Sequence, residues 1–171
     1  MQIDILLNDK NIKAKDKTET LAQWLIENLI STKDLIEFAV KAKDSPKATC
    51  IEAIEFATKI KPSIADKDCL AFVSQTLTEK APRVKWESAK VIGNIAHLYP
   101  DKLEIAIKNL LTNTEDTGTV VRWSAAFALG EIIKTKHKST LDLVKSIEAI
   151  CEREEKNSIK KIYLTALKKV K

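Results

Sequence analysis

Apolar side chains recur at spacings of three and four residues along almost the whole chain. This spacing places side chains on one face of an α-helix. One such stripe consists of Leu103, Ile107, Leu110 and Leu111. Similar segments are "TKDLIEFAVKA", "KDCLAFVSQTLTEKA" and "STLDLVKSIEAICERE", and Pro or Gly marks the breaks "KDSPKAT" and "NTEDTGTVVR". The pattern predicts a protein built of helices separated by short turns.

A longer repeat lies on top of the helical spacing. The segment "TVVRWSAAFALGEIIK" nearly repeats the earlier segment "RVKWESAKVIGNIAHL". Trp123 follows Trp86 by 37 residues, and Gly130 follows Gly93 by the same offset. Comparable apolar segments open at Ile12, Ala48 and Ile159. A fixed period of this length is typical of helical repeats, and it predicts one domain of about five helix pairs, with approximate units 1–30, 31–61, 62–98, 99–136 and 137–171.

Small residues recur at the same offsets inside the second helix of two units. Ala126 and Gly130 lie one turn apart, as Ala89 and Gly93 do in the preceding unit. A Gly inside a helix costs about 1 kcal/mol relative to Ala. Its recurrence therefore indicates that a neighbouring helix approaches closely at this position.

These segments resemble HEAT repeats, whose second helix often reads "VRxxAAxALGxI". The residues that match are Val121, Arg122, Ala125, Ala126, Ala128, Leu129, Gly130 and Ile132, with a looser match from Val84 to Ile95. The resemblance implies an all-α fold, a right-handed α–α superhelix of HEAT-like or armadillo (ARM) type. It also implies that the second helices line the concave side, which serves as a binding surface.

The first 16 residues allow two interpretations. Ile3, Ile5 and Leu7 alternate with polar residues as in a strand, which fits a hairpin. A hairpin without a larger sheet is only marginally stable, and Ile12 keeps the phase of the repeat. We therefore favour a short helix followed by a long one.

The net charge of +5 is concentrated at one end of the 171-residue chain. No acidic residue occurs after Glu155, whereas six lysines do: Lys156, Lys160, Lys161, Lys168, Lys169 and Lys171. The last helix has these lysines opposite an apolar stripe, so it fits either a terminal repeat with a polar outer face or a helix that binds an anionic surface. We favour the terminal repeat.

The remaining composition argues against several classes of protein. The start "MQIDILLNDK" lacks the pattern of a signal peptide, and no apolar run has the length of a membrane span. Cys50, Cys69 and Cys151 are odd in number and widely spaced, unlike a disulfide framework or a zinc site. We expect a cytoplasmic protein without membrane insertion and with reduced, buried thiols.

Catalytic patterns are not evident. His137 has no acid or thiol at helical spacing, and Asp101, four residues after His97, is separated from it by Pro100. A catalytic relay or metal site would need such a partner on the same helix. The sequence also lacks a phosphate-binding Gly-rich loop and the HExxH and GxSxG motifs. We therefore predict no enzymatic activity, no catalytic or metal-binding residues and no cofactor.

Cations recur at the start of the second helices. Lys13, Lys85, Arg122 and Lys160 occupy one repeat position, at which Thr49 is the exception. Lys85 and Arg122 either contact an acidic partner or phosphates, or pair with an acid in the adjacent loop. For Arg122 the expected acid is Asp116 or Glu115.

The aromatic residues beside these cations are the stronger candidates for binding. Trp86 and Trp123 follow Lys85 and Arg122 directly, and Lys90 and Phe127 lie one turn further on. Exposed, this set would anchor a partner's side chains or stack on bases; buried, it would fill the groove between units. Trp24, in "LAQWLIENLI", is expected to pack in the core of the first unit.

The function predicted from these features is recognition. The first hypothesis is a non-enzymatic scaffold that binds a protein partner through Trp86, Lys90, Trp123 and Phe127, with Lys85 and Arg122 beside them. The alternative is nucleic-acid binding, akin to HEAT-like DNA alkylpurine glycosylases. In that family an Asp lies one turn from a concave Trp, where this chain has Lys90 and Phe127, so base excision is not expected. A third hypothesis follows HEAT-like lyase subunits and chaperones of tetrapyrrole-bearing proteins, on family resemblance alone.

Overall fold

Ten α-helices follow one another along residues 2–170, the part of the chain that the computed structural model describes, apart from the side chain of Ser139. They are α1 (Gln2–Asn8), α2 (Ala14–Ile26), α3 (Thr32–Lys41), α4 (Asp44–Ile60), α5 (Lys67–Thr76), α6 (Pro82–Ile95), α7 (Glu104–Asn113), α8 (Thr119–Lys134), α9 (Leu141–Arg153) and α10 (Asn157–Val170). Short 3-10 turns at Pro62–Ile64, Ala96–Leu98 and Lys138–Thr140 join some of them. Residues 2–170 contain no strand.

The helices form five consecutive pairs that stack into two layers. The even-numbered helices, which we call the second helices, pack against one another from α2 to α10. The odd-numbered helices contact one another less extensively than the second helices do. Because closer packing in one layer bends the stack toward it, the second helices line the concave side. The predicted all-α superhelix of HEAT-like or ARM type is confirmed.

The N-terminal residues form the short and the long helix that we favoured. Ile3 and Leu6, three residues apart, are buried, whereas Ile5 is 71% exposed. This is the i, i+3 pattern of one helix face rather than the alternating pattern of a strand. The hairpin interpretation is wrong.

Small residues on the second helices allow neighbouring helices to approach closely, as predicted. A Cβ atom on Gly130 would lie 3.2 Å from the Cβ of Ala166 on α10. One on Gly93 would meet the ring of Phe127 on α8. The recurring glycines are therefore packing positions between units.

The last helix, α10, buries one face and exposes lysines on the other. Ile159, Tyr163, Ala166 and Leu167 are buried, and Lys161, Lys168 and Lys169 are exposed. None of the helices within residues 2–170 combines the length and the apolar character needed to cross a membrane.

Candidate binding surface on the second helices

The aromatic side chains predicted to bind a partner lie together on the concave side. We use the term concave site for Trp86 and Lys90 on α6 with Trp123 and Phe127 on α8. Trp123 is 40% exposed, and the other three side chains are partly buried. Phe56 on α4, two second helices before α8, is 41% exposed. The indole of Trp123 is thus available to a partner rather than packed between units.

The rings of Trp123 and Phe127 form a stacked pair. Their centroids are 6.1 Å apart and their planes differ by 8°, within the range in which aromatic pairs attract. The ring of Phe127 also covers Gly93, because a Cβ built there would lie 2.9 Å from Cδ1 and 3.1 Å from Cζ. The absence of a side chain at Gly93 therefore leaves room for the ring of Phe127, and this ring stacks against the exposed Trp123.

Replacement of Gly93 by Ala is expected to displace the ring of Phe127 and disturb its stacking with Trp123. Ala raises helix propensity by about 1 kcal/mol, which offsets part of the cost of the new contact. We expect the free energy of unfolding to change by less than about 1 kcal/mol, while the near-ultraviolet circular dichroism of the Trp123–Phe127 pair decreases. An unchanged aromatic spectrum would contradict this contact.

Lys90 lies between two buried carboxylates. Its Nζ is 3.0 Å from Glu87 Oε2 and 3.4 Å from Glu55 Oε2. The carboxylate-bearing side chains are only 5% and 6% exposed, whereas that of Lys90 is 26% exposed. Trp86 Nε1 donates a hydrogen bond of 2.7 Å to Glu87 Oε1. One ammonium group therefore serves two carboxylates at the edge of the concave site.

The pKa shifts of this cluster follow from that sharing. Burial raises the pKa of Glu87, and the lowering by Lys90 and by the hydrogen bonds from Lys90 and Trp86 does not cancel it. Burial favours a lower pKa for Lys90, but Glu87 and Glu55 outweigh it and the net direction is upward. The cation is thus well compensated, whereas the carboxylate is not.

A second ion pair lies beside the cluster. Arg83 donates to Glu52 Oε2 over 2.6 Å, and the hydroxyl of Thr18 donates to the same oxygen over 2.9 Å. Arg83 balances the charge of Glu52, so this pair does not neutralise Glu55 and Glu87. With all five groups ionised, Glu52, Glu55, Glu87, Arg83 and Lys90 sum to a formal charge of −1.

Lys90 and Phe127 occupy the same repeat position on α6 and α8, and each contacts the preceding second helix. Lys90 reaches Glu55 on α4, and Phe127 reaches Gly93 on α6. Where Lys90 meets a carboxylate, Phe127 covers a bare backbone. The concave site therefore places a charged position directly beside an aromatic one.

Cations near the start of the second helices pair with acids in neighbouring loops. Lys85 was predicted to lie at this position, and Lys47 was not. Lys47 pairs with Glu79 at 2.8 Å, and Lys85 pairs with Asp116 at 2.8 Å. The sequence separations are 32 and 31 residues. In both cases the acid belongs to the loop of the following unit. Lys47, and not Thr49, therefore fills the repeat position in the second unit.

Arg122 is the third of these cations. Its Nε donates to Glu154 over 3.2 Å, at a separation of 32 residues, and its Nη1 donates to the carbonyl oxygen of Asp116 over 3.0 Å. The expectation that its acid is Asp116 or Glu115 is wrong, because the Asp116 carboxylate serves Lys85 and Glu115 pairs with Arg153. Each of these cations thus links its own second helix to an acid in the following unit.

The electrostatics of Asp116 fit this role. Burial alone would raise its pKa, but hydrogen bonds from Lys85 and the Gly118 amide, with the charges of Lys85 and Arg122, outweigh it and lower the pKa. Lys85 and Arg122 are consequently engaged inside the chain. Lys90 is likewise paired, with Glu55 and Glu87. In the concave site the side chain of Trp123 is exposed, and those of Trp86 and Phe127 are partly exposed.

The sequence interpretation missed the acidic side of the site. It did not single out Glu52, Glu55 and Glu87, which lie on α4 and α6 among apolar residues. A signal was present in the separation of 31 or 32 residues between each cation and its acid. This separation aligns Lys47 with Lys85 and so fixes the register of α4 relative to α6. That register places Glu55 opposite Lys90.

The core positions predicted for Trp24 and for the three cysteines are also observed. Trp24 packs against the core. Cys50, Cys69 and Cys151 are free and buried, and burial raises the pKa of Cys50 and Cys69 to about 12. These two thiols remain protonated at neutral pH.

The stacked helix pairs and the concave second helices together define a helical-repeat solenoid of armadillo or HEAT type. The designed armadillo repeat protein YIII(Dq)4CqI is similar, with a TM-score of 0.74, 17% identity, and coverage of 99% of this chain and 81% of that one. The designed armadillo repeat protein YIII(Dq.V1)4CPAF, solved in complex with the peptide (KR)4, has a TM-score of 0.72, 18% identity, and coverage of 99% and 80%. An engineered protein solved as a structural genomics target has a TM-score of 0.71 at 16% identity, with coverage of 98% and 78%. These likenesses establish the fold.

No known family of sequences matches this chain, and no curated protein matches it significantly.

Proposed function

We propose that this protein is a non-enzymatic scaffold that binds a segment of a protein partner on its concave site. The observation that carries the proposal is the exposure of Trp123 on a stack that rests on Gly93. Large aromatic side chains held rigidly at a concave surface are the usual anchors of protein interfaces. Trp86 and Phe127 extend the anchor over two neighbouring helices.

The similar solved structures support a peptide as the partner. One of the armadillo neighbours was solved in complex with the peptide (KR)4. A solenoid offers an extended surface along its repeats, which suits a linear segment. The present chain has an exposed aromatic group, Trp123, on its layer of second helices.

The charges of the concave site favour a protein over a nucleic acid. A phosphate backbone is bound by cations that are free to contact it. Lys85 and Arg122 are instead paired with loop acids, and the carboxylates of Glu55 and Glu87 lie directly beneath Lys90 of the concave site. The same features weigh against a glycosylase-like role.

Selection of peptides from a random display library on immobilised protein would test this function. We expect enriched sequences that, once synthesised, bind the wild type and lose about 30-fold or more in affinity for Trp123→Ala, because hot-spot aromatics contribute 2 kcal/mol or more. The matched control is Ile105→Ala, which removes a side chain 57% exposed on the outer helix α7. This variant should bind the same peptides as the wild type.

Two outcomes would contradict the proposal. One is equal binding of the selected peptides to Trp123→Ala and the wild type. The other is tighter binding of a DNA duplex than of any selected peptide, with an affinity that falls steeply with salt and depends on Trp123.

A further inference from the structure

The ammonium group of Lys90 occupies a position between two carboxylates that the cation of a bound ligand could also occupy. Its ammonium group lies at the point where Glu55 and Glu87 converge, yet its own side chain is 26% exposed while theirs are nearly buried. At the same repeat position on α8, Phe127 makes an apolar contact. The cation is thus a feature of this one position and not of the repeat.

The side chains around Lys90 could bind the cation of a partner in place of the Lys90 ammonium group. Within residues 2–170, the cations that pair with Glu52, Glu55 and Glu87 are Arg83 and Lys90, so three carboxylates share two cations. Trp86 holds Glu87 in place through its indole N–H and lies beside the site. Buried carboxylates and an adjacent aromatic ring are the groups that bind ammonium and guanidinium side chains.

The geometry of the solenoid adds a second requirement. Packed helices are about 8–10 Å apart, and a segment in the polyproline II conformation advances about 3.1 Å per residue with three residues per turn, so residues three apart lie on the same face about 9 Å from each other. A segment crossing from α6 to α8 would therefore place a side chain on the Trp123–Phe127 stack about three residues after the one at Glu87. That second side chain would be apolar to match the two rings.

On the basis of the proposed function, we propose that the partner segment carries a Lys or Arg whose cation replaces Lys90 between Glu55 and Glu87, with an apolar side chain about three residues away on Trp123 and Phe127. The side chain of Lys90 moves into solvent when the segment binds. Lys90 thus competes with the ligand and sets the charge that the site accepts.

The test uses two synthetic Gly–Ser peptides with blocked termini. One carries a Lys and, three residues later, a Leu; the other has Gln in place of the Lys. Binding is followed by nuclear magnetic resonance of the Trp indole N–H signals. Because Lys90→Met removes the competing cation, we expect it to bind the Lys peptide about tenfold more tightly than the wild type does, which corresponds to about 1.4 kcal/mol. The Gln peptide should bind both proteins equally.

Further variants separate this charge effect from a structural one. Adding Glu87→Gln to Lys90→Met should abolish the tenfold gain. Glu87→Gln alone, whose amide oxygen still accepts from Trp86, should reduce the preference of the otherwise wild-type protein for the Lys peptide even where Lys90→Met folds poorly. Glu131→Gln is the control, since it removes one carboxylate charge on α8 that pairs with Lys134, whereas Lys90 pairs with Glu55 and Glu87.

The outcomes distinguish this inference from the function on which it rests. Equal affinity of Lys90→Met for the Lys and Gln peptides would overturn the inference. If that binding still depended on Trp123, the scaffold function would stand. Failure of both peptides to bind Lys90→Met would also overturn the inference, and the display selection would then decide the function separately.

Discussion

Replacement of Lys90 by Met is expected to lower the free energy of unfolding by about 2–3 kcal/mol at neutral pH. The substitution keeps the length of the side chain but leaves Glu55 and Glu87 as uncompensated carboxylates whose side chains are 6% and 5% exposed. Buried charges that lose their partner are among the costliest defects in a fold. Urea unfolding followed by circular dichroism measures the loss.

The pH dependence of that loss has a definite sign. Burial already raises the pKa of Glu87 above its ordinary value of 4.5, and removal of Lys90 raises it further. A carboxyl with a raised pKa in the folded state binds protons more readily there than in the unfolded chain, so stability falls as pH rises above 4.5. The deficit of Lys90→Met should therefore shrink as pH is lowered from 7 toward 4.5.

A matched control is available one unit further along. Lys134 pairs with Glu131 at the same i, i+3 spacing, and its side chain is 28% exposed, close to the 26% of Lys90. Glu131, however, is 34% exposed, so its charge stays hydrated without a partner. Lys134→Met should cost less than about 1 kcal/mol. Equal costs for the two variants would show that Glu55 and Glu87 are not effectively buried.

The fold was predictable from sequence because a solenoid repeats its own signal. Gly93 and Gly130, with Trp86 and Trp123 at the same offset, fixed the register of α6 and α8, and both helices have the predicted contacts. The less regular units were harder to align. In α4 the assumed register placed Thr49 at the position that Lys47 occupies.

The candidate site was only half predictable for a related reason. The aromatic half consists of Trp86, Trp123 and Phe127, which stand out at repeat offsets. The acidic half depends on which face of α4 meets α6, and a shift of two residues changes the neighbour of Lys90. Glu55 and Glu87 resembled ordinary polar-face residues until the packing of the helices showed that they are buried.

Replacement of Arg122 by Met is expected to have the second large effect, about 2–3 kcal/mol, because Arg122 fastens the last helix pair to α8. It donates to Glu154, whose side chain is 6% exposed, and to the carbonyl oxygens of Asp116 and Thr117. The variant leaves that carboxylate buried without a cation, with the backbone N–H of Lys156 still donating to it. In a solenoid each unit is stabilised by its neighbours, so the loss should be concentrated at one end.

Hydrogen exchange would locate this loss. We expect faster exchange in α9 and α10 of Arg122→Met, with α4 and α6 close to their wild-type protection, because local opening follows the weakened contact. Uniformly faster exchange would indicate that the chain unfolds as one unit and that Arg122 does not act on the terminal pair alone.

Two related cations provide an internal scale for the Arg122 prediction. Lys85 pairs with Asp116, which is 18% exposed, and Arg153 pairs with Glu115, which is 63% exposed. The cost of each change to Met should follow the burial of the acid left behind, about 1 kcal/mol for Lys85 and close to zero for Arg153. The expected order of destabilisation is Arg122, then Lys85, then Arg153. A large cost for Arg153→Met would show that the loop ion pairs act through something other than buried charge.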